Sequence, residues 1–393
     1  MTKVTKKDIQ NQYGLPSTVK FCKRCVVSNQ RPRIVFDDEG VCSACRFADH
    51  KASVIDWSKR ENELSILCDK HRSKDGSYDV IVPGSGGKDS NYVGHMLKEK
   101  YGMHPLVVTW SPHIYTEIGR KNLTAFIDSG FDNILVTPNG AVHRKLTKAA
   151  FVEMGDPFQP FIFGQYSAPF RAAIHYNVGL VFYGEDGEVE YGGAMEHADR
   201  ASLPYADFVA NRFSSVFPSS FEKYGISRQE LDKYGLSKDE LKKIKTLNIE
   251  QHFFSYYHRW IPQENYYYSV EHTGFEANPV RNEGTFSKYA SLDDKLDGFH
   301  YYLAYIKFGH GRCMSDAAHE IRDGHITREE AVALIKKYDG EFPKKYFQDF
   351  LEYCDITESE FHEVIESWRS EHIWLHDNDQ WKLKNPVWEN DDT

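Results

Sequence analysis

The pattern of apolar and polar positions changes rhythm near residue 78. Before that point, residues 56–72 put Trp57, Leu64, Leu67 and Cys68 on one stripe, as an amphipathic helix does. After it, short runs that are apolar throughout alternate with segments of helical period. YDVIV (78–82), PLVVTW (105–110), NILVT (133–137) and VGLVFYG (178–184) read as strands. NYVGHMLKEK (91–100), KNLTAFIDSG (121–130) and AVHRKLTKAAFVEM (141–154) read as helices between them. Strands without a polar face, joined by helices, predict an α/β fold whose parallel sheet is covered on both sides. Ligands of such sheets lie beyond the carboxyl ends of the strands.

The last third reads as helical. TREEAVALIKKYDG has capping-box order from Thr327 to Glu330 and a stop at Gly340, and TESEFHEVIESW repeats that order from Thr357 to Glu360. SRQELDKYG and SKDELKKIK also open on a hydroxyl residue, without a solenoid period linking them. The aromatic stretch 253–269 reads as core or a subunit contact before a stacking platform, and His175, His197 and His252 as structural histidines.

Composition narrows the class. With 40% hydrophobic and 27% charged residues in 393, the chain is of ordinary globular type. No apolar run reaches the roughly 20 residues of a membrane span, and MTKVTKKDIQNQ lacks the apolar core of a signal peptide, so a cytoplasmic location without a membrane span is expected. A formal charge of -10 argues against nucleic acid as the main partner, because phosphate backbones are held by Lys and Arg.

Four of the seven cysteines form two knuckles, Cys22/Cys25 and Cys42/Cys45, with sixteen residues between them. That spacing is that of a structural zinc ribbon, whose four thiolates close a tetrahedron and leave no position for water. Cys68, Cys313 and Cys354 stand alone and read as buried thiols.

The first strand runs into PGSGGKDS (83–90). Gly84, Gly86 and Gly87 allow a tight turn with exposed amides, Ser85 and Ser90 offer hydroxyls, and the next helix aims its N-terminus at the same point. This is an anion site suited to phosphate. A Walker A loop would need glycine where Val82 stands and a hydroxyl residue at Asp89, and a dinucleotide fingerprint would need glycine at Asp89.

SGGKDS resembles the SGGxDS loop of the PP-loop ATP pyrophosphatases, which cleave ATP between the α and β phosphates. The resemblance implies that Ser85, Gly86, Gly87, Lys88, Asp89 and Ser90 hold pyrophosphate. Adenosine would lie near Val108 and Thr109. Gly184 and Glu185, after the fourth strand, match a second acidic position, so Asp89 and Glu185 would hold Mg²⁺.

Further segments narrow the resemblance: FDDEGVCSAC (36–45), YGEDGEVEYGG (183–193), EGTFSKYASLDDKLDGFHYY (283–302), KFGHGR (307–312) and IRDGHITREEA (321–331). Together with the loop they are similar to the N-acetyl sugar amidotransferases of bacterial O-antigen and nonulosonic acid pathways, over about residues 20–365. Gly84 departs from that pattern, and residues 1–19 are unmatched. The implied organisation is an extension (1–19), a zinc-binding ribbon (20–50), a PP-loop domain (51–225) and a mostly helical region completing the substrate site (226–393).

The implied reaction joins AMP to the acetamido oxygen of an activated N-acetyl sugar and lets ammonia displace it, giving an acetamidino sugar, AMP and pyrophosphate. The candidate catalytic residues are Lys88, Asp89, Lys288, Asp294, Lys295 and Arg312. The carboxylates of SLDDKLDG (Asp293, Asp294 and Asp297) suit sugar hydroxyls or an incoming ammonium, with helix capping an equal reading for Asp293. No general base is assigned. No cysteine has the setting of a glutaminase nucleophile. The resemblance therefore implies ammonia from a separate glutaminase subunit like that of imidazole glycerol phosphate synthase, with its barrel partner a candidate conduit. The alternative is a PP-loop tRNA-thiolating enzyme, which would want a basic face and a reactive cysteine pair.

Overall fold

In the computed structural model, residues 5–193, 195–212 and 216–389 are described, with residues 208 and 210–212 as backbone alone. The four apolar runs form strands β1 (Val80–Pro83), β2 (Pro105–Trp110), β3 (Asp132–Val136) and β4 (Leu180–Tyr183). A fifth strand, β5 (Glu250–Phe253), joins them from the segment expected to be helical. All neighbours are parallel and the order is β3-β2-β1-β4-β5. The chain leaves β1 towards one edge through β2 and β3, then returns to place β4 on its other side. The carboxyl ends of β1 and β4 therefore flank the switch point, where a doubly wound sheet opens a crevice.

Strand alternation sorts the core into two layers. Val80, Val82, Leu180 and Phe182 pack with Leu64, Leu67, Val93 and Leu97 of the helices on one face. Ile81, Val181, Leu106 and Val108 pack on the other, against Leu146, Phe163 and Phe170. The long helix Gln159–Tyr176 dominates that second face. It tolerates Pro160 in its first turn, and its buried side chains surround it so fully that no polar stripe marks it in the sequence.

The C-terminal helices make their own core. Phe299, Leu303, Phe350, Phe361 and Trp368 pack together, and Ile9 and Leu15 of the N-terminal extension close that cluster. The four predicted helix starts at Ser227, Ser237, Thr327 and Thr357 all have reciprocal capping boxes. The cysteine ribbon shares a third cluster with Met314, Ala317, Ala331 and Ile335, so it rests on the C-terminal helices rather than on the sheet. A short hairpin (Trp374–Asp377 with Gln380–Leu383) follows them.

Gly164 lets the long helix lie against Trp110 at the end of β2: a Cβ there would sit 2.0 Å from the indole. Gly164→Ala is expected to destabilise the fold by on the order of 3 kcal/mol through overpacking. Gly140→Ala, whose Cβ meets nothing within 4 Å, serves as the control. Urea unfolding of the two variants checks this; equal midpoints would contradict it.

Candidate active site

The site begins where β1 ends. Gly84 N still donates to Val108 O of β2 (3.1 Å), and Thr109 turns its hydroxyl onto Gly84 O (2.5 Å), so the turn starts rigidly. Gly86 then takes φ +83°, and a Cβ there would lie 2.5 Å from Leu123 N. Glycine is required twice over, by conformation and by approach. Gly87 begins the Lys88–His95 helix with no side chain capping it, which leaves the first-turn amides facing the turn.

A second helix, Pro262–Thr273, clamps this one. Ser269 Oγ donates to Lys88 O (2.7 Å), Asn91 Nδ2 to Thr273 Oγ1 (2.9 Å) and Asn265 Nδ2 to Asp89 Oδ1 (3.1 Å). The buried Lys88 ammonium pairs with Asp89 and lies 5.8 Å from the Tyr289 ring centroid.

A cavity of about 440 Å³ opens over the loop, within the size range of small-molecule sites. Its walls include the whole of Pro83–Ser90, Val108 and Trp110 from β2, Tyr183 at the end of β4, and Gly184 and Glu185 just after it. The far wall comes from the C-terminal region: Ser287, Tyr289–Asp293, Asp297, Tyr301 and Arg312. Arg312 is fixed by Asp316 (Nε–Oδ1 2.8 Å) and by Ser291 Oγ (3.1 Å), with its guanidinium 4.3 Å from the Tyr301 centroid. Burial works against its charge, but Asp316 and Tyr301 outweigh that and hold it well above its usual range. Burial raises the Asp297 carboxyl, against the opposing pull of His300 and Arg312. Asp293 is pushed up to about 7, first by burial and then by repulsion from Asp297.

The structure brings Ser85, Gly86, Gly87, Lys88, Asp89, Ser90, Val108, Gly184, Glu185 and Arg312 to one cavity. Thr109 lies beneath it, its hydroxyl spent on Gly84 O and on Asn133 Nδ2 (2.8 Å). Three of the sequence candidates stand elsewhere. Lys288 is exposed outside the lining. Lys295 pairs with Asp349 Oδ1 (2.6 Å) beside Tyr346. Asp294 turns inward and accepts from His113 N (2.6 Å), His113 Nδ1 (2.7 Å) and Leu296 N (2.9 Å). Its neighbour Asp293 is the carboxylate that faces the cavity. Sequence reasoning did not single out the aromatic lining, Trp110, Phe158, Phe161 and Tyr289. Of the flagged stretch 253–269, Trp260 and Pro262 reach the cavity. His252 proves structural, bonded to Tyr257 OH (2.7 Å) and Glu250 (3.2 Å).

The four ribbon cysteines are buried with their Sγ atoms all within 4.8 Å of one another. Cys25–Cys42 and Cys22–Cys45 stand 3.7 and 3.9 Å apart, close to the roughly 3.8 Å edge of a tetrahedron with Zn–S bonds of about 2.3 Å. The amides of Arg24 and Cys42 point at Cys22 Sγ (3.4 and 3.3 Å), as befits a thiolate. The donor set fits a structural zinc ion, and among the described residues it is the one such cluster. The ribbon also holds the segment after β4: Arg33 Nε binds Glu188 (2.8 Å), Ser43 Oγ donates to Gly192 O (2.6 Å), and Lys51 pairs with the buried Glu190 (2.6 Å). That segment carries Glu185 into the cavity. One tightly held zinc per chain is expected, and Cys25→Ser should lose it and increase amide exchange in 185–193. Metal analysis with hydrogen exchange checks this; unchanged exchange in the metal-free protein would contradict the buttressing.

Residues 283–387 match a family described as LPS biosynthesis protein WbpG-like, C-terminal domain. No curated protein matches the chain. The matched stretch supplies the far wall of the cavity from Phe286 to Glu320, Asp293 and Arg312 included, so the part of the chain that faces the glycine loop is the part similar to a lipopolysaccharide biosynthesis domain.

Proposed function

We propose that the protein is an ATP-dependent amidotransferase of bacterial surface polysaccharide biosynthesis, turning the acetamido group of a nucleotide-linked N-acetyl sugar into an acetamidino group. One observation carries the reading: a glycine loop suited to phosphate and a wall similar to a lipopolysaccharide biosynthesis domain enclose the same cavity.

An acetamido carbonyl resists ammonia because its nitrogen donates into it and oxide is not a viable leaving group. Joining its oxygen to the α-phosphorus of ATP removes both obstacles. In this reading the amides of Gly86 and Gly87 and the hydroxyls of Ser85 and Ser90 hold the departing pyrophosphate. Lys88 and Arg312 are the cations placed to neutralise charge as it develops, one from each wall. Asp89 and Glu185 offer hard oxygen donors for Mg²⁺, whose chemistry is to offset phosphate charge; Asp89 would exchange its pairing with Lys88 for the ion. Val108 and the aromatic lining leave an apolar side for the adenosine. The proposed role of Asp294 is to anchor the far wall.

Ammonia comes from outside the chain in this account. Cys68, Cys313 and Cys354 are buried, and burial raises each thiol, that of Cys68 to about 12, so none is poised as a glutaminase nucleophile. The same buried thiols count against thiolation of tRNA. A glutaminase subunit is the proposed donor, with ammonium replacing it in vitro.

The test is release of AMP and pyrophosphate from ATP with ammonium and a panel of UDP-linked diacetamido sugars. Sugar-dependent AMP is expected, with a product one mass unit lighter than the substrate. Lys88→Ala and Arg312→Ala should each lower turnover by about 100-fold or more. AMP formation that depends on tRNA, or on nothing added, would contradict the reading.

A further inference from the structure

The geometry points to Asp293 as the general base of this reaction, the group that takes the acetamido N–H proton and handles the protons of the incoming ammonia; this rests on the amidotransferase reading above.

Two adjacent aspartates have been given opposite tasks by the backbone. Asp294 points into the protein and is saturated by donors from His113 and Leu296. Its bonds fix the segment Ser291–Lys295 to the chain beyond β2, where Lys295 N donates to Ile114 O (2.9 Å) and Thr116 N to Asp293 O (3.1 Å). Ser291 enters that segment at φ +56°. The fit is so close that a Cβ on Gly119 would lie 2.4 Å from Asp293 Cα. With its neighbour anchored below, Asp293 is left facing the cavity, which Ser85 of the glycine loop also lines. A proton acceptor that shares the cavity with the phosphate loop lies where the acetamido group must come to meet the α-phosphorus.

The surrounding charges leave this carboxyl without a cationic partner. Its own segment presents Asp294 and Asp297, and the Asp297 charge opposes ionisation. The chain beyond β2 presents Tyr115, over which Arg120 stacks at 4.2 Å. The guanidinium of Arg312, on the helix behind, is engaged by Asp316 and Ser291. No described ion pair includes Asp293. Burial and Asp297 therefore bring its ionisation near neutrality, at about 7, where a group accepts and returns protons with least penalty.

As the acetamido oxygen bonds to the α-phosphorus and the bond to pyrophosphate breaks, the N–H proton becomes acidic and passes to Asp293, leaving a neutral imidate. Ammonia adds its lone pair to the imidate carbon. Asp293 returns its proton to the sugar-bearing nitrogen and takes one from the new ammonium nitrogen. The C–O bond then breaks with its electron pair leaving on AMP, and the amidinium product departs. Asp293 finally releases one proton to solvent. One oxygen is exchanged for one nitrogen, and nothing is oxidised or reduced.

Three measurements on the full chain test this. Asp293→Asn should lower sugar-dependent AMP formation by about 100-fold or more while binding of a non-hydrolysable ATP analogue stays within about twofold, and Asp293→Glu should recover part of the rate. Wild-type turnover should rise with pH through about 7 and then level, because below that point the carboxyl is protonated and cannot accept. Infrared difference spectra, wild type minus Asp293→Asn, should show a protonated carboxyl lost near the same pH, independently of activity. Undiminished turnover by Asp293→Asn, titration in the ordinary carboxylate range, or loss of the protonated band on adding Mg²⁺ alone would overturn the assignment. A wild type that forms no AMP with any sugar would instead refute the underlying reaction.

Discussion

The site depends on one buried bond set, that of the Asp294 carboxylate with the amide and ring of His113. His113 follows β2, and Asp294 belongs to the C-terminal wall, so these contacts fix the distance between the glycine loop and the residues facing it. Both side chains are almost wholly withdrawn from solvent, at 0% and 1% exposure, and removing one partner of such a buried hydrogen-bonded pair costs on the order of 1–3 kcal/mol because the other is left unsatisfied. Rigidity here matters more than stability. A wall so fixed would present Asp293 and Arg312 already aligned to a group bound in the cavity, as the proposed displacement requires.

The ribbon plays the matching part on the other side. It does not pack on the sheet that carries the loop but on the helices Arg312–Arg322 and Arg328–Tyr338, and Arg328 Nε reaches Cys25 O (3.1 Å). Through Glu188, Glu190 and Gly192 it also grips the segment leaving β4. Four thiolates closed on one point leave no position for catalysis, yet the ribbon that carries them braces two of the walls around the cavity. Loop, far wall and β4 segment are thereby tied together by contacts that lie outside the cavity they define.

Much of this was legible in the residues. The apolar runs announced β1, β2 and β4 because strands buried on both faces exclude polar side chains, β3 was legible from the same apolar pattern although it is a partly exposed edge strand, and capping boxes announced helix starts because they satisfy amides locally. The knuckle spacing and the glycine loop were legible for the same reason: each is a local solution to a local constraint. β5 was not, since Glu250, Gln251 and His252 are polar residues whose place in the sheet is secured by neighbours distant in sequence. Nor was the helix Gln159–Tyr176, apolar nearly all round and continuous through Pro169, which a sequence reading takes for a break. At the far wall the sequence supplied the right kinds of charge but not their directions. Which of Asp293 and Asp294 faces the cavity is decided by Gly119 and His113, more than 170 positions away in the chain.

In the proposed reaction the acetamido oxygen itself attacks the α-phosphorus. A sugar carrying ¹⁸O in its acetamido group, turned over with ATP and ammonium, tests it directly by mass spectrometry of the nucleotide released. The account predicts AMP bearing the heavy oxygen. Unlabelled AMP, or ADP in place of AMP, would contradict it.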